Sequence, residues 1–432
     1  MIATNRRRFF MVTAMLLITP SLSFGSGFAL FEHGNRGMAM AGAMTAVADD
    51  PSALFWNPAG MAFQTDEGVQ LMAGVVLVQI DQTFYGEPLY PGDGYIAELR
   101  EQTFTPIHLY LGIPVNDRLE VSVSLYNPWG LGTYWDDDFL GRYISTKADI
   151  EGWNLGLSMA YQLSENFAFG LGFDFVYSSI QLRRTVGQIN PFNQRLTDVA
   201  DAFLRTSGTG NTSFAWNAGL LWKIGSGFQL GALYRSGYQI DFEGKGSFNQ
   251  IPTGYPEYDA LLGTILPFDS DTPITTSLEY PDFWTLGLSW QNERWTVSGQ
   301  YGVMGWAVFD ELSIVFPEEP QFSQVVREDY ENAAQWRIGA ELRASQHWAL
   351  QVGYLFDETG QPIESMSPLL GDGDRTGYCA GVSYLTDSFR LDIGYMRLEF
   401  GGRSTEGTAW DGFDGTYDGS GNLAGATFTF KF

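Results

Sequence analysis

The sequence predicts an all-β transmembrane barrel of about 14 antiparallel strands whose lumen holds an N-terminal, mostly helical plug. Three observations lead there. Strand-length segments alternate a large apolar face with a small or polar one, and short turns alternate with long connections. Beyond the first 25 residues, no run approaches the ~18 apolar residues that a membrane helix needs. A chain that crosses lipid without such helices satisfies its backbone only as a closed barrel.

In chain order, Arg6, Arg7 and Arg8 precede an apolar run from Phe9 to Ile18, followed by Ser21, Ser23 and Gly25. This is the order of a secretory signal peptide, so residues 1–25 are assigned to it and the mature chain starts near Ser26. Loss of three arginines and no acid takes the formal charge from -26 to -29, which argues against nucleic acid or an anionic ligand as partner. A single cysteine, Cys379, excludes an internal disulfide framework and a thiolate metal cluster. The 51 glycines and 15% aromatic residues are spread along the chain with no Pro/Ser-rich linker, so one large architecture fits better than several soluble domains.

Residues 26–64 are poor in strand formers and rich in Gly, Ala and Met. A DDPS turn interrupts them, where Asp50 is placed to cap a short helix begun by Pro51. They read as short helical pieces packed inside something larger. The stretch Gly27–Met61 resembles the plug of the FadL family of outer-membrane transporters. The matching residues are Gly27, Phe28 and Leu30 in a GF-x-L opening, then Ala48, Asp49, Asp50 and Ser52, and the closing Asn57, Pro58 and Ala59. The resemblance implies a plug anchored by Asn57, Pro58 and Ala59 near the first strand, a 14-stranded barrel over residues 65–432, and substrate contacts at Phe28 and Leu30.

Past Gln64 the period changes to two. Phe167, Phe169, Leu171, Phe173, Phe175 and Tyr177 alternate with Ala168, Gly170, Gly172, Asp174 and Val176, which predicts a strand with a lipid-facing outside and a lumen-facing inside. The same dyad recurs from Leu119, Leu155, Trp284, Trp348 and Phe389. Strands are placed near residues 67, 105, 118, 149, 166, 211, 228, 277, 295, 332, 348, 375, 389 and 423. Short turns at 116–118, 164–166, 225–227, 292–294, 345–347 and 386–388 are assigned to the periplasmic end, with Trp290, Trp295 and Trp348 beside them as an interfacial girdle. The last strand ends on Phe428, Phe430 and Phe432, which looks like the signal read by the outer-membrane assembly machinery.

Two long connections are predicted to be helical. Leu196, Val199, Ala200, Phe203 and Leu204 recur at helical spacing between Asn193 and Arg205, and Tyr258, Leu261, Leu262, Ile265 and Leu266 between Pro256 and Phe268. Each apolar stripe packs on the rim or joins the other in a groove for a hydrophobic ligand. The resemblance favours the groove, because these loops are where the family first binds substrate. After Tyr126, the residues Asn127, Pro128, Trp129 and Gly130 break the third strand, since Pro128 donates nothing to a ladder. The break is either an inward kink or the strand's end. In the family, a kink here opens a lateral gate through the wall.

His33, His108 and His347 fall in the plug, the second strand and a turn, with no Ser-His-Asp spacing and no HExxH, so neither an enzyme nor a cofactor is expected. The acids at 136–138, 372, 374, 411, 414 and 418 read as solvated loop residues, bridged by divalent ions to lipopolysaccharide phosphates, rather than as a specific Ca²⁺ site. The expected protein is a monomeric outer-membrane transporter taking up hydrophobic molecules, long-chain fatty acids foremost. Monoaromatic hydrocarbons on the same fold, or a general porin, are the alternatives.

Overall fold

The structure, a computed structural model, describes residues 27–206, 210–268 and 270–432. The signal peptide assigned to residues 1–25, and Ser26, lie outside the described residues. The described strands are β1 (Gln70–Gly86), β2 (Ile96–Glu98), β3 (Ile107–Asn116), β4 (Leu119–Tyr126), β5 (Gly130–Tyr134), β6 (Lys147–Ser164), β7 (Phe167–Ile189), β8 (Leu196–Thr206), β9 (Thr212–Gly225), β10 (Phe228–Arg235) and β11 (Tyr238–Gln250). They continue as β12 (Asp271–Tyr280), β13 (Phe283–Gln291), β14 (Trp295–Met304), β15 (Glu311–Val315), β16 (Gln324–Arg327), β17 (Ala333–Arg343), β18 (Trp348–Asp357), β19 (Arg375–Leu385), β20 (Phe389–Ser404) and β21 (Gly415–Lys431).

Fourteen of these form the closed antiparallel wall, in the order β1, β3, β4, β6, β7, β9, β10, β13, β14, β17, β18, β19, β20 and β21. The ring closes where β21 pairs with β1, from Gln70↔Lys431 to Gly86↔Gly415. Closure leaves no unpaired edge, which is what allows strands to stand in hydrocarbon. The predicted dyads face as expected: Phe173 is 67% exposed on the outside, while its neighbour Asp174 is 3% exposed in the lumen. Arg in place of Phe173 should therefore cost ~2 to 4 kcal/mol of insertion free energy near the bilayer midplane. Refolding yield, read by heat-modifiable gel migration, should drop for Phe173→Arg and hold for Phe173→Leu; equal yields would put the wrong face toward lipid.

Most strands begin within three residues of their predicted starts, but two do not. The strand expected near 277 enters the wall at Phe283, because Pro281 and Asp282 divide it from Asp271–Tyr280, which joins a sheet outside the wall. The strand expected near 423 starts at Gly415, since its outer half pairs with β1 beyond the lipid-facing band. A larger correction concerns the helix predicted between Asn193 and Arg205. That segment is strand β8, bonded along both edges, to β7 (Ile189↔Leu196 to Gln181↔Arg205) and to β11 (Gln250↔Ala200 to Gly244↔Thr206). Ladders on both edges outweigh a helical stripe of five apolar residues. The second predicted helix exists over Pro256–Leu262, shorter than its 256–268 window, and is designated α3 below.

The plug consists of helices α1 (Asn35–Ala39) and α2 (Ala53–Trp56) followed by 3-10 turns at Pro58–Phe63 and Thr65–Glu67. Asp50 does not cap a helix started by Pro51; α2 starts at Ala53, and the Asp50 carboxylate accepts from the Ser52 N–H (3.0 Å) and hydroxyl (2.5 Å). The plug backbone lies directly on the wall, and wall glycines make the room. A Cβ on Gly170 would stand 2.5 Å from the Ala59 nitrogen, on Gly339 2.5 Å from the Met40 oxygen, and on Gly353 2.5 Å from the Ala41 nitrogen. This close approach explains why glycines recur in strand after strand.

Candidate functional site

Above the rim, β7 runs past the wall and carries a curled sheet in the order β7, β8, β11, β12, β15 and β16. Together with residues 143–145 and 364–369, the sheet encloses a chamber of about 690 Å³. Phe203, Leu204, Phe248, Leu266, Ile314 and Phe316 give it an apolar lining. Of the predicted substrate residues, Phe203, Leu204 and Leu266 meet here. Leu196 and Ile265 point to solvent (52% and 58% exposed), and Val199 and Leu262 are buried behind the lining. The groove expected between two helices is thus a chamber built on a sheet, with one helix, α3, packed through Tyr258 beside Phe192.

Sequence reasoning missed a cation in this chamber. Arg184 lines it, half-buried, with no ion-pair or hydrogen-bond partner among the described residues, and burial alone lowers its pKa. The adjacent Arg183 is neutralised by Asp201 at 2.8 Å and Asp137 at 2.9 Å. Tyr143 donates to Asp198 at 2.6 Å, and burial, with that bond, pushes its hydroxyl up to about 12. An Arg-Arg pair on an outward-running strand is the signal that could have found it.

Below the chamber, Phe28 fills a box of aromatic rings: Trp306 at 4.7 Å, Trp129 at 5.8 Å, Tyr280 at 6.0 Å and Phe309 at 6.1 Å between centroids. Gly27 before it has φ +52°, and a Cβ there would meet the Trp306 ring, so only glycine turns the chain into this box. The Gly27 N–H donates to Asp372 at 3.1 Å, and its carbonyl accepts from Arg375. Leu30 packs instead on Gly130.

The predicted break in the third wall strand is a bulge. Tyr126 pairs with Asn154 and Gly130 with Glu151, so Asn127, Pro128 and Trp129 stand opposite only Gly152 and Trp153. The Asn127 side chain replaces the missing ladder bonds, accepting from the Ile107 N–H at 3.1 Å and donating to the Gly152 carbonyl at 2.8 Å. The bulge leans inward onto the plug: the Leu30 N–H donates to the Pro128 carbonyl at 2.9 Å and the Gly130 N–H to the Phe28 carbonyl at 3.0 Å. Beside it lies a cavity, or window, of about 580 Å³. Its inner lining includes Phe28, Leu30 and Leu423, and its outer lining includes Ile107 and Trp153 from the lipid-facing side. Leu369 lines the chamber and the next residue, Leu370, lines this cavity.

The plug has further seats on other strands of the wall. Asn57 donates to the Thr45 carbonyl at 2.8 Å and the Leu220 carbonyl at 2.9 Å, while Pro58 and Ala59 sit against Gly170. These contacts fall on β7 and β9, not near the first strand as expected, because the glycines that admit the Asn57-Pro58-Ala59 backbone are Gly170 and Gly219. On another arc of the wall, Arg36 of α1 binds Glu341 at 2.8 Å, Asp50 at 3.0 Å and Asp49, and Arg390 binds the same Glu341 at 3.0 Å. Arg337 joins Asp357 at 2.7 Å and covers the Phe31 ring at 4.3 Å. His33 and His108 lie at the plug–wall contact, bonded to Tyr110 and Thr427. The acids at 136, 137, 372, 374, 411 and 414 are engaged by Arg100, Arg183 and loop N–H or hydroxyl groups.

The family model described as "Outer membrane protein transport protein (OMPP1/FadL/TodX)" matches residues 16–432. A long-chain fatty acid transport protein of Escherichia coli O6:H1 is 26% identical, over 98% of each chain. Among solved structures, a FadL homologue of Pseudomonas aeruginosa superposes with a TM-score of 0.81 at 21% identity, covering 94% of this chain and all of that one. The toluene transporter TodX of P. putida superposes with a TM-score of 0.72 at 18% identity, covering 93% of this chain and 99% of that one. With the barrel, the plug and the match over nearly its whole length, the chain belongs to the OMPP1/FadL/TodX family of outer-membrane transport proteins.

Proposed function

We propose that this protein takes up long-chain fatty acids without chemistry or an energy source, capturing them in the outer chamber and releasing them sideways through the bulged wall. The observation that carries the route is the cavity beside Pro128, whose lining passes from the plug's Phe28 to the lipid-facing Ile107 and Trp153. A hydrophobic cargo on that path never crosses the plug. Phe28 lines the window, and on this reading its four-ring box is the space that cargo occupies once Phe28 swings out. The fatty acid function of relatives such as the E. coli protein, and Arg184, which lines the chamber with no ion-pair or hydrogen-bond partner among the described residues, support an acid headgroup over a neutral hydrocarbon.

The test separates head from tail. Arg184→Gln should weaken dodecanoate binding by about ten- to a hundredfold, the worth of a charged hydrogen bond, with little change for toluene or dodecanol. Leu266→Ser should weaken all three, by an amount set by the apolar area lost. Isothermal titration of purified protein gives both numbers. Equal losses of dodecanoate and toluene in Arg184→Gln would make neutral hydrocarbons the better cargo.

A further inference from the structure

The chamber's charged lining residues are Arg183, Arg184, Arg327, Glu364 and Asp411, whereas the window is mostly acidic. Its charged lining residues are Glu32, Asp81, Asp149, Glu151, Asp372 and Arg375. Arg375 is already committed to Asp372, at 3.1 Å, and to the Gly27 carbonyl. On the outer lip, Asp149 and Glu151 stand on the same face of β6 as the lipid-facing Leu155 and Leu157, and Asp81 continues the face of β1 that carries Leu77. Among the described residues, Lys147 lies 3.6 Å from Asp149 and Arg397 acts electrostatically on Asp81, so the lip's three carboxylates face two cations. Glu151 accepts from the Trp153 indole at 3.0 Å, which holds it beside the opening. Between these acids the surface is apolar: Leu30, Ile80, Phe104, Leu131 and Phe400.

An ionised carboxylate entering this passage meets like charges in a setting of low dielectric, where their repulsion is several times stronger than in water. Burial and like charge both favour the neutral acid, which then partitions into lipid. We infer that the window selects on charge, passing cargo as a neutral species, so that a fatty acid captured as an anion at Arg184 leaves the protein as RCOOH. The proton comes from water: RCOO⁻ and H₃O⁺ give RCOOH and H₂O, and no bond to carbon changes. This rests on the uptake reading above and adds a rule to it, namely that permanently anionic amphiphiles bind but do not pass.

Uptake of labelled dodecanol, dodecanoate and dodecane-1-sulfonate is compared at pH 6 and pH 8, in cells with no other transporter of this family and equal surface levels of protein. Dodecanol should enter equally at both pH values. Dodecanoate should enter more slowly at pH 8, and the sulfonate should stay at the level of cells lacking the protein. In the triple variant Asp81→Asn, Asp149→Asn, Glu151→Gln, folded by gel migration, the sulfonate-to-dodecanol uptake ratio should rise about tenfold, the order expected for removing nearby like charges. Wild-type sulfonate uptake matching that of dodecanoate, or an unchanged ratio in the triple variant, overturns the charge rule while leaving hydrophobic uptake in place. Failure of dodecanol and dodecanoate alike to exceed background overturns the uptake reading, and the charge rule with it.

Discussion

Deleting Pro128 should abolish uptake while leaving capture in the outer chamber intact. The bulge sets three residues, Asn127, Pro128 and Trp129, against two on β6, so removing one restores a continuous register from Tyr126↔Asn154 to the pair now formed by Gly130 and Glu151. Substitution alone leaves the count unequal, and a Val at Pro128 would still bulge. With the ladder continuous, Asn127 no longer turns inward to bridge Ile107 and Gly152, and the cavity between Phe28 and the lipid-facing Trp153 is closed by backbone. Purified protein should bind dodecanoate within about twofold of wild type, since a change under 0.5 kcal/mol is expected at a site that far from the deletion. Cells at equal surface level should take up none above background. Normal uptake through a strand whose repair is confirmed by a structure would sink the lateral route and favour displacement of the plug.

Arg36→Met should loosen the plug by about 3 to 5 kcal/mol, the cost of stripping the partner from buried charges. Arg36 is 4% exposed and faces Glu341, Asp50 and Asp49, and Arg390 alone cannot neutralise what remains. Without Arg36 the acids repel one another in the lumen, and the plug's contact at α1 opens. Single-channel recording should report a higher ion conductance than in the wild type, and thermal unfolding should begin earlier. Adding Glu341→Gln removes the stranded acid, so the double variant should recover part of the loss. A strictly additive cycle would mean that the pair does not hold the plug, and unchanged conductance in Arg36→Met would leave the seat to the glycine contacts and Asn57.

The wall was legible because its rule is local. A strand in lipid has one environment on each side, so side-chain chemistry alternates with a period of two, as in Phe167 to Tyr177, and the residues name their own faces. The turns at 225–227 and 345–347 were legible for the same reason, since tight reversals demand particular residues; Gly225, Ser226 and Gly227 all take positive φ. The plug's helical pieces, and the break at Asn127-Pro128, could also be read from composition and from the missing N–H of proline.

What only the tertiary structure decided lies where residues distant in sequence meet. Leu196 to Leu204 carry a helix's periodicity, yet β7 and β11 offer hydrogen bonds to both of its edges, and no pattern within the segment reports neighbours that lie up to 50 residues away. The direction of the kink depended on Phe28 and Leu30, whose backbone groups take up the bonds that Pro128 and Gly130 lack in the wall. The seat of Asn57 on β7 and β9 followed from Gly170 and Gly219, whose missing side chains matter only once the barrel has closed. Arg183 and Arg184 both line the chamber, but only Arg183 reaches carboxylates, on Asp201 and Asp137, and that pairing is set by the neighbouring strand and loop. Sequence determined which face of each strand meets lipid, because that is a property of single residues and their period. Structure decided the chamber, the window and the seat of the plug, because each is a contact between groups whose meeting is fixed by the closed register of the whole barrel.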